Sequence, residues 1–328
     1  MSDSAKKNYL TIHGHFYQPP RENPWLEAIE LQDSAAPYHD WNARITAECY
    51  SPNAVSRVVN YKNQILNIVN NYELISFNIG ATLMSWLEVH DPKTYRRILK
   101  ADKNSVEAYS GHGNALAQVY NHMIMPLANE RDKYTQTIWG ITDFFKRFSR
   151  KPEGIWLAET AVDSETLRVL VDCGIKFTIL SPYQALKVRQ IDPNAPHPWM
   201  DVSWGNVDPG RAYRYFLKDG TDRYIDVFFY DGAISKSVAF EELLKDGERF
   251  MCKLRGGLTS LRDYNNQLVN IATDGESYGH HTMLGNMALS YVLNKKIKET
   301  DFILTNYGEF LENNPPSYEA EIKEPSSW

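Results

Sequence analysis

Short apolar runs alternate along the chain with longer segments in which apolar residues recur every three or four positions. The short runs are bounded by polar or turn-forming residues and predict buried strands at residues 9–13, 74–79, 105–109, 154–158, 176–180, 225–230 and 268–273. The segments of helical period are residues 53–70, 130–148, 164–173, 240–254 and 282–298. This alternation predicts an α/β protein with a largely parallel sheet.

Polar side chains follow several predicted strands at their C-terminal ends, namely His13, His15, Glu159, Ser181, Asp231 and Asp274. In a parallel barrel these ends converge on one face, where active sites lie. An open doubly wound sheet remains an alternative, but it gathers fewer strand ends around one site. The connections at residues 16–52 and 181–223 are rich in Pro, Trp, Tyr and Asp. Because long loops usually carry function, both are expected to form walls of a cleft.

Residues 1–312 are predicted to form the barrel. Residues 313–328 are predicted to be a polar, proline-rich tail that leads to a further C-terminal region. The net charge of −6 argues against nucleic acid as a main partner, because phosphate binding requires a basic surface. The sequence contains neither an apolar run of 18 residues nor a signal peptide. Its three scattered cysteines suit a reducing compartment, so we expect a cytoplasmic protein without a membrane partner.

Two carboxylates at strand ends are the main candidates for chemistry. Glu159 follows the run GIWLA and, taken singly, is typical of a solvated residue at a helix start. Asp274 precedes GESYGHH; an Asp-Gly pair is typical of a hairpin turn, but such a turn has no use for the aromatic and the two imidazoles that follow. Together, one carboxylate and one protonated carboxyl group can cleave a glycosidic bond.

Histidines leave a second interpretation open. His13 and His15 form a His-x-His pair at a strand end, which is a common arrangement of metal ligands. Asp274, His280 and His281 could complete a zinc site. The chain would then be a metal-dependent carbohydrate hydrolase, similar to a polysaccharide deacetylase or a zinc α-mannosidase. That interpretation gives Glu159 no role. A non-catalytic glucan-binding domain is a further alternative.

Four motifs in order give the sequence a family resemblance. They are HGHFYQP at residues 13–19, with two residues inserted before the Gln; NHMIMPL at residues 121–127; WLAE at residues 156–159; and DGESYGH at residues 274–280. With them the chain resembles the catalytic domain of family 57 glycoside hydrolases. This group of retaining α-glucan-acting enzymes includes α-amylases, 4-α-glucanotransferases and glycogen branching enzymes.

The resemblance implies a (β/α)7 barrel, an α-glucan or maltooligosaccharide substrate, and no metal or cofactor. It makes Glu159 the nucleophile and Asp274 the general acid/base. Substrate contacts are expected from His13, His15, His122, Trp156, Glu276, His280, Trp41 and Asp40. The inserted Phe16-Tyr17 pair and the long segment that follows it depart from the common motif. We expect them to build a cleft wall particular to this chain, which would include Arg21 and Trp25.

Overall fold

A computed structural model describes residues 6–192, 197–262, 264 and 266–328. Its strands are β1 (Lys7–Phe16), β2 (Ser56–Val59), β3 (Ile65–Val69), β4 (Ser76–Ile79), β5 (Ala117–Gln118), β6 (Gly154–Trp156), β7 (Phe177–Leu180), β8 (Ala185–Gln190), β9 (Met200–Asp201), β10 (Ala212–Phe216), β11 (Tyr224–Phe229), β12 (Asn266–Asp274), β13 (Phe302–Leu304) and β14 (Tyr318–Ile322). Its α-helices are α1 (Trp41–Ile45), α2 (Ser51–Ala54), α3 (Ala81–His90), α4 (Pro92–Ala108), α5 (Glu130–Phe148), α6 (Ser164–Asp172), α7 (Gly232–Phe240), α8 (Gly247–Arg255), α9 (Gly285–Asn294) and α10 (Tyr307–Asn313).

Seven parallel strands form the barrel, in the order β12, β1, β4, β5, β6, β7 and β11. Strand β1 pairs with β12 on one side and β4 on the other. A bridge from Phe77 to Ala115 leads to β5, and β6, β7 and β11 follow in parallel register. The N–H of Asp231 donates to the carbonyl of Asn270 at 2.8 Å, which links the end of β11 to β12. All seven strands therefore end on the same face.

Continuous apolar runs form the barrel strands because these strands are buried on both faces. Every residue of β7 is buried, and β11 is buried after its first residue. An aromatic cluster packs beside them, with the ring centroids of Phe228 and Tyr307 4.7 Å apart in an edge-on contact. Fully burying each such aromatic or aliphatic side chain stabilises the fold by about 1.5–3 kcal/mol.

The strand prediction is confirmed at six of its seven positions and wrong at residues 105–109. Residues 105–108 are the last turn of α4, and Tyr109 is its C-cap. The helix begins at Pro92, where the side chain of Asp91 accepts from the N–H of Thr94. Ile98, Ala101 and Ser105 face the core at helical spacing. The third barrel strand is instead the short β5, whose two residues are too few for a periodic signal.

The helix predicted at residues 53–70 is also wrong, because α2 stops at Ala54 and β2 and β3 then form a hairpin. The side chain of Asn60 accepts from the N–H groups of Lys62 and Gln64, which fixes the turn. Residues 240–254 form no single helix either, since Glu242 adopts a left-handed conformation and Asp246 caps a new helix, α8. In contrast, the helix predicted at residues 130–148 coincides with α5.

The connection at residues 181–223 contributes a side sheet. Its strands β8, β9 and β10 extend the barrel strands sideways, and residues 193–196 lie outside the described part. Strand β14, within the segment interpreted as a polar tail, pairs antiparallel with β8. A further bridge joins Val162 to Ser326, so that the last residues of the sequence lie beside the segment after β6. Among the described helices, none combines the length and apolarity needed to span a bilayer.

Candidate active site

An open cavity of about 430 Å³ lies at the C-terminal ends of the barrel strands. Its lining comes from the ends of β1 and β12, from the segments after β5 and β6, and from the connection at residues 16–52: His15, Tyr17, Gln18, Arg21, Trp41, Ile45, His122, Glu159, Asp274, Glu276, His280 and His281. Both predicted catalytic carboxylates are among them. The cavity size is that of a small-molecule site.

Glu159 stands in a 3₁₀ turn directly after β6. Glu159 and the next residue, Thr160, have φ angles of 54° and 48°, so both lie in the left-handed region. This conformation costs a non-glycine residue on the order of 1 kcal/mol or more. The Glu159 side chain is exposed, and the indole N–H of Trp328 donates to its Oε2 at 2.8 Å. Backbone strain of this kind persists only where surrounding contacts hold it, and it is frequent at active sites.

Asp274 is the last residue of β12 and faces the same cavity as Glu159. Burial raises the pKa of its carboxyl group, and the negative charge of Glu159 raises it further. Both effects disfavour the ionised form. A carboxyl group whose pKa is raised in this way has the property that a general acid requires.

Glu276 is a third acidic group of the cavity lining, and it is buried. Its Oε1 accepts from the hydroxyl of Tyr50 at 2.5 Å and from the N–H of Tyr17 at 3.2 Å. Burial raises the pKa of Glu276 to about 7, and the charge of Asp274 raises it as well, whereas the hydrogen bonds from Tyr50 and Tyr17 lower it. The contacts continue outward, because Gln18 donates to Tyr50 at 2.9 Å and Arg21 donates to Gln18 at 2.8 Å.

A chain of hydrogen bonds fixes the imidazoles behind the site. The amide nitrogen of Asn78 donates to Nδ1 of His15 at 2.8 Å, so that the neutral His15 ring carries its proton on Nε2. That Nε2 lies 3.1 Å from Nε2 of His122, which must accept and therefore carries its own proton on Nδ1. Burial lowers the pKa of His15 well below its usual value, which keeps this ring neutral.

His13 lies one layer deeper than His15. It is fully buried, its Nε2 lies 3.0 Å from Oδ1 of Asn78, and its ring stacks on Trp156 at 4.8 Å. Burial lowers the pKa of His13 to about 3. Trp156 is itself fully buried and stacks beneath His15 as well, at 5.2 Å. Neither His13 nor Trp156 lines the cavity; both support His15 from below.

His122 completes an aromatic face on this side of the cavity. Its ring stacks on Tyr17 with centroids 3.9 Å apart and on His15 at 5.1 Å. Its backbone φ is 54°, so that His122, like Glu159, is held in the left-handed region. Burial lowers the pKa of His122, although the nearby charge of Glu159 opposes this shift. A neutral imidazole beside a carboxylate is suited to hydrogen-bonding sugar hydroxyl groups.

The opposite wall is formed by Trp41, Ile45 and His280. A π-helical turn at Thr46–Tyr50, a distortion frequently found at functional sites, contacts this wall through Glu48. Glu48 on this turn accepts a hydrogen bond from Nδ1 of His280. Burial raises the pKa of Glu48, but the hydrogen bonds from His280 and Arg44 lower it by more, so the pKa lies below its ordinary value. A Cβ at Gly279 would lie 2.5 Å from the carbonyl oxygen of Glu48, so the close approach requires glycine. Trp41 contacts His280 edge-on at 6.0 Å.

Asp40, like His13 and Trp156, does not line the cavity. It is buried, and its side chain caps α1 by accepting from the N–H of Ala43. Trp25 is exposed and does not line the cavity either. No sequence motif indicates Asn78, Glu48, Tyr50 or Ile45, which lie far from the carboxylates along the chain. Among the described residues, no three His, Cys, Asp or Glu side chains are placed to hold a metal ion.

The sequence profile of glycosyl hydrolase family 57 matches residues 6–323. The chain belongs to this family. An α-amylase 1 from Dictyoglomus thermophilum is 22% identical over 107 residues, which are 32% of this chain and 15% of that protein. Family 57 members act on α-glucans as retaining glycosidases or transferases.

Solved structures of similar fold agree with this membership. The 4-α-glucanotransferase of Thermococcus litoralis is 14% identical with a TM-score of 0.64, over 99% of this chain and 43% of that one. An exo-type maltose-forming amylase from Pyrococcus sp. ST04 is 17% identical with a TM-score of 0.69, over 98% and 53%. A branching enzyme from Pyrococcus horikoshii is 17% identical with a TM-score of 0.65, over 98% and 73%. The fold of this family 57 chain is therefore the predicted (β/α)7 barrel, and the chain spans about half or less of the first two structures.

Proposed function

We propose that the chain is a retaining glycosidase or glucanotransferase acting on α-1,4-linked glucans, with Glu159 as nucleophile and Asp274 as general acid/base. The observation that carries the proposal is the pairing of these two carboxyl groups in one cavity. The charge of Glu159 and burial together favour a proton on Asp274. This division of roles between an ionised and a protonated carboxyl group is what glycosidic cleavage requires.

In the first step Glu159 attacks the anomeric carbon while Asp274 donates its proton to the departing glycosidic oxygen. The bond to the leaving sugar breaks, and a covalent glycosyl–Glu159 ester forms. In the second step Asp274, now ionised, removes a proton from a water molecule or a sugar hydroxyl, which attacks the same carbon and releases Glu159. Two inversions retain the α configuration.

Neutral donors and aromatic faces support binding of the sugar next to the cleaved bond. The Nδ1–H of His122 is a donor at the cavity surface, and its partner His15 fixes that tautomer. Trp41 and His280 form the facing wall, and an aromatic ring can cover the apolar face of a sugar. Arg21 adds a cation at the rim. In this proposal His13 and Trp156 position His15 without touching substrate.

Replacing the nucleophile tests the proposal. Glu159→Gln should abolish turnover of a maltooligosaccharide with a chromogenic leaving group and leave thermal unfolding unchanged, because the amide cannot form the ester. Glu107→Gln, on the exposed side of α4, is a matched control that should retain activity. Substantial turnover by Glu159→Gln would refute the assignment.

Product analysis tests the finer activity. On maltoheptaose and amylose, glucose and short products indicate hydrolysis, longer chains indicate transfer, and α-1,6 branch points indicate branching. Proton NMR of the first products should give the α anomer, whereas the β anomer would contradict a retaining mechanism. A cytoplasmic location remains a prediction from the cysteine pattern and composition.

A further inference from the structure

The end of the sequence lies against the proposed nucleophile. The indole N–H of Trp328 donates to Oε2 of Glu159 at 2.8 Å, and the backbone N–H of Trp328 donates to the carbonyl oxygen of the same residue at 3.2 Å. The Trp328 ring also meets Trp156 edge-on, with centroids 5.4 Å apart. One tryptophan therefore contacts both the main chain and the side chain of Glu159.

The segment that carries Trp328 is anchored to the same turn. Ser326 exchanges two backbone hydrogen bonds with Val162, of 2.9 and 3.1 Å. The amide nitrogen of Gln184 donates to the hydroxyl of Ser326 at 3.2 Å and to the carbonyl of Thr160 at 2.9 Å. The position of Trp328 is thus fixed relative to Glu159 by contacts on both sides of the left-handed turn.

The Glu159 carboxylate depends on this contact for its orientation. Its side chain is exposed, and within the part of the chain that the structure describes no second side chain donates a hydrogen bond to it. A hydrogen bond to an ionised carboxylate is among the stronger kinds. Because the indole engages Oε2, it restricts how the carboxylate can turn, and Oε1 remains available to the anomeric carbon.

We propose that Trp328 is a positioning residue, whose indole N–H orients the carboxylate of Glu159 for attack. The inference rests on the proposed function, since it requires Glu159 to be the nucleophile. It assigns a catalytic task to a segment outside the four motifs. The contact acts on formation of the ester more than on substrate binding, because a misoriented nucleophile still allows the sugar to bind.

Trp328→Phe removes the N–H and retains an aromatic ring against Trp156. We expect kcat on a chromogenic maltooligosaccharide to fall about tenfold while KM changes less than about twofold, because the lost orientation affects the transition state and not ground-state binding. Trp199→Phe is the matched control, since the Trp199 ring contacts the cationic groups of Lys187 and Arg189 at the side sheet. Its kcat and KM should stay at the wild-type values.

Incorporation of 3-benzothienylalanine at position 328 provides a second variant if Trp328→Phe folds poorly. It replaces only the N–H by sulfur and should give the same loss of kcat. Four results would overturn the proposal: unchanged kcat, a raised KM with kcat retained, a lowered melting temperature as the only effect, or a raised kcat, which would identify Trp328 as an obstruction. If Glu159→Gln is inactive and the Trp328 variants are fully active, this inference fails while the proposed function stands. An active Glu159→Gln variant would refute the proposed function itself.

Discussion

Replacing Glu276 by Gln should change how stability depends on pH. In the folded state burial and the charge of Asp274 raise the pKa of Glu276 to about 7, from an ordinary value of 4.5. Between these two values the folded protein holds a proton that the unfolded chain has released. Stability from this group is therefore fully present below about pH 4.5 and is lost as pH rises through about 7.

The magnitude follows from the width of that window. A difference of about 2.5 pKa units corresponds to roughly 3 kcal/mol, at about 1.4 kcal/mol per unit. The Gln amide has no such titration, and its oxygen can still accept from Tyr50 and Tyr17. The free energy of unfolding of Glu276→Gln minus that of wild type should therefore grow by about 3 kcal/mol between about pH 4 and pH 8. At about 2.1 cal/mol/K per residue, 328 residues convert this into roughly 4 °C of melting temperature.

Thermal and urea unfolding of both proteins across this pH range provide the assay. The comparison removes the titration of groups that both proteins share. Tyr50→Phe is the control, because it deletes a hydrogen bond that lowers the pKa of Glu276. In this variant the pKa of Glu276 should rise further, so its pH-dependent loss of stability should continue to a higher pH than in wild type. A difference between Glu276→Gln and wild type that stays constant with pH would show that Glu276 is not held protonated, and would refute the reasoning.

Two further predictions concern Asp274 and the histidine chain. Asp274→Asn should slow cleavage of substrates with poor leaving groups much more than that of activated ones. Wild-type activity on amylose should fall as pH rises through the raised pKa of Asp274. The activity of Asp274→Asn on activated substrates should not show this fall with pH. Equal losses of activity on both substrate classes would contradict the acid role. Asn78→Leu should cost roughly 3–5 kcal/mol in urea unfolding, because it leaves polar atoms of His13, His15 and Gln118 buried without partners. Asn104→Leu, which loses one bond to Glu73, is the control, and an equal cost in both variants would contradict this account.

The alternation of strands and helices and the two carboxylates were predictable because they depend on short-range patterns. The runs before Glu159 and Asp274 are apolar enough to predict buried strands, and in a parallel barrel all strands end on one face. The sequence therefore placed both residues at that face. The predicted helix at residues 53–70 is wrong because Asn60 forms the turn of a hairpin there. The predicted strand at residues 105–109 is wrong because residues 105–108 belong to α4, whose buried residues recur at helical spacing.

Depth within the site was decided by the tertiary structure. His13 and His15 are two residues apart on β1 and so share a strand face, but His13 lies beneath the cavity and His15 lines it. The two-residue spacing of these histidines places them on the same face of the strand. The depth of each ring below the cavity depends on its contacts with Trp156 and Asn78, which come from other strands.

The partners that tune the site were equally beyond the sequence pattern. Tyr50 reaches Glu276 across 226 positions of sequence, and Trp328 reaches Glu159 across 169. No periodicity links residues so far apart, because such contacts arise only when separate strands and loops pack into one barrel. The sequence by itself determined which carboxyl groups stand at the strand ends. Packing alone set the burial that raises the pKa of Asp274 and brought the Trp328 indole to Glu159, since both depend on neighbours supplied by distant segments.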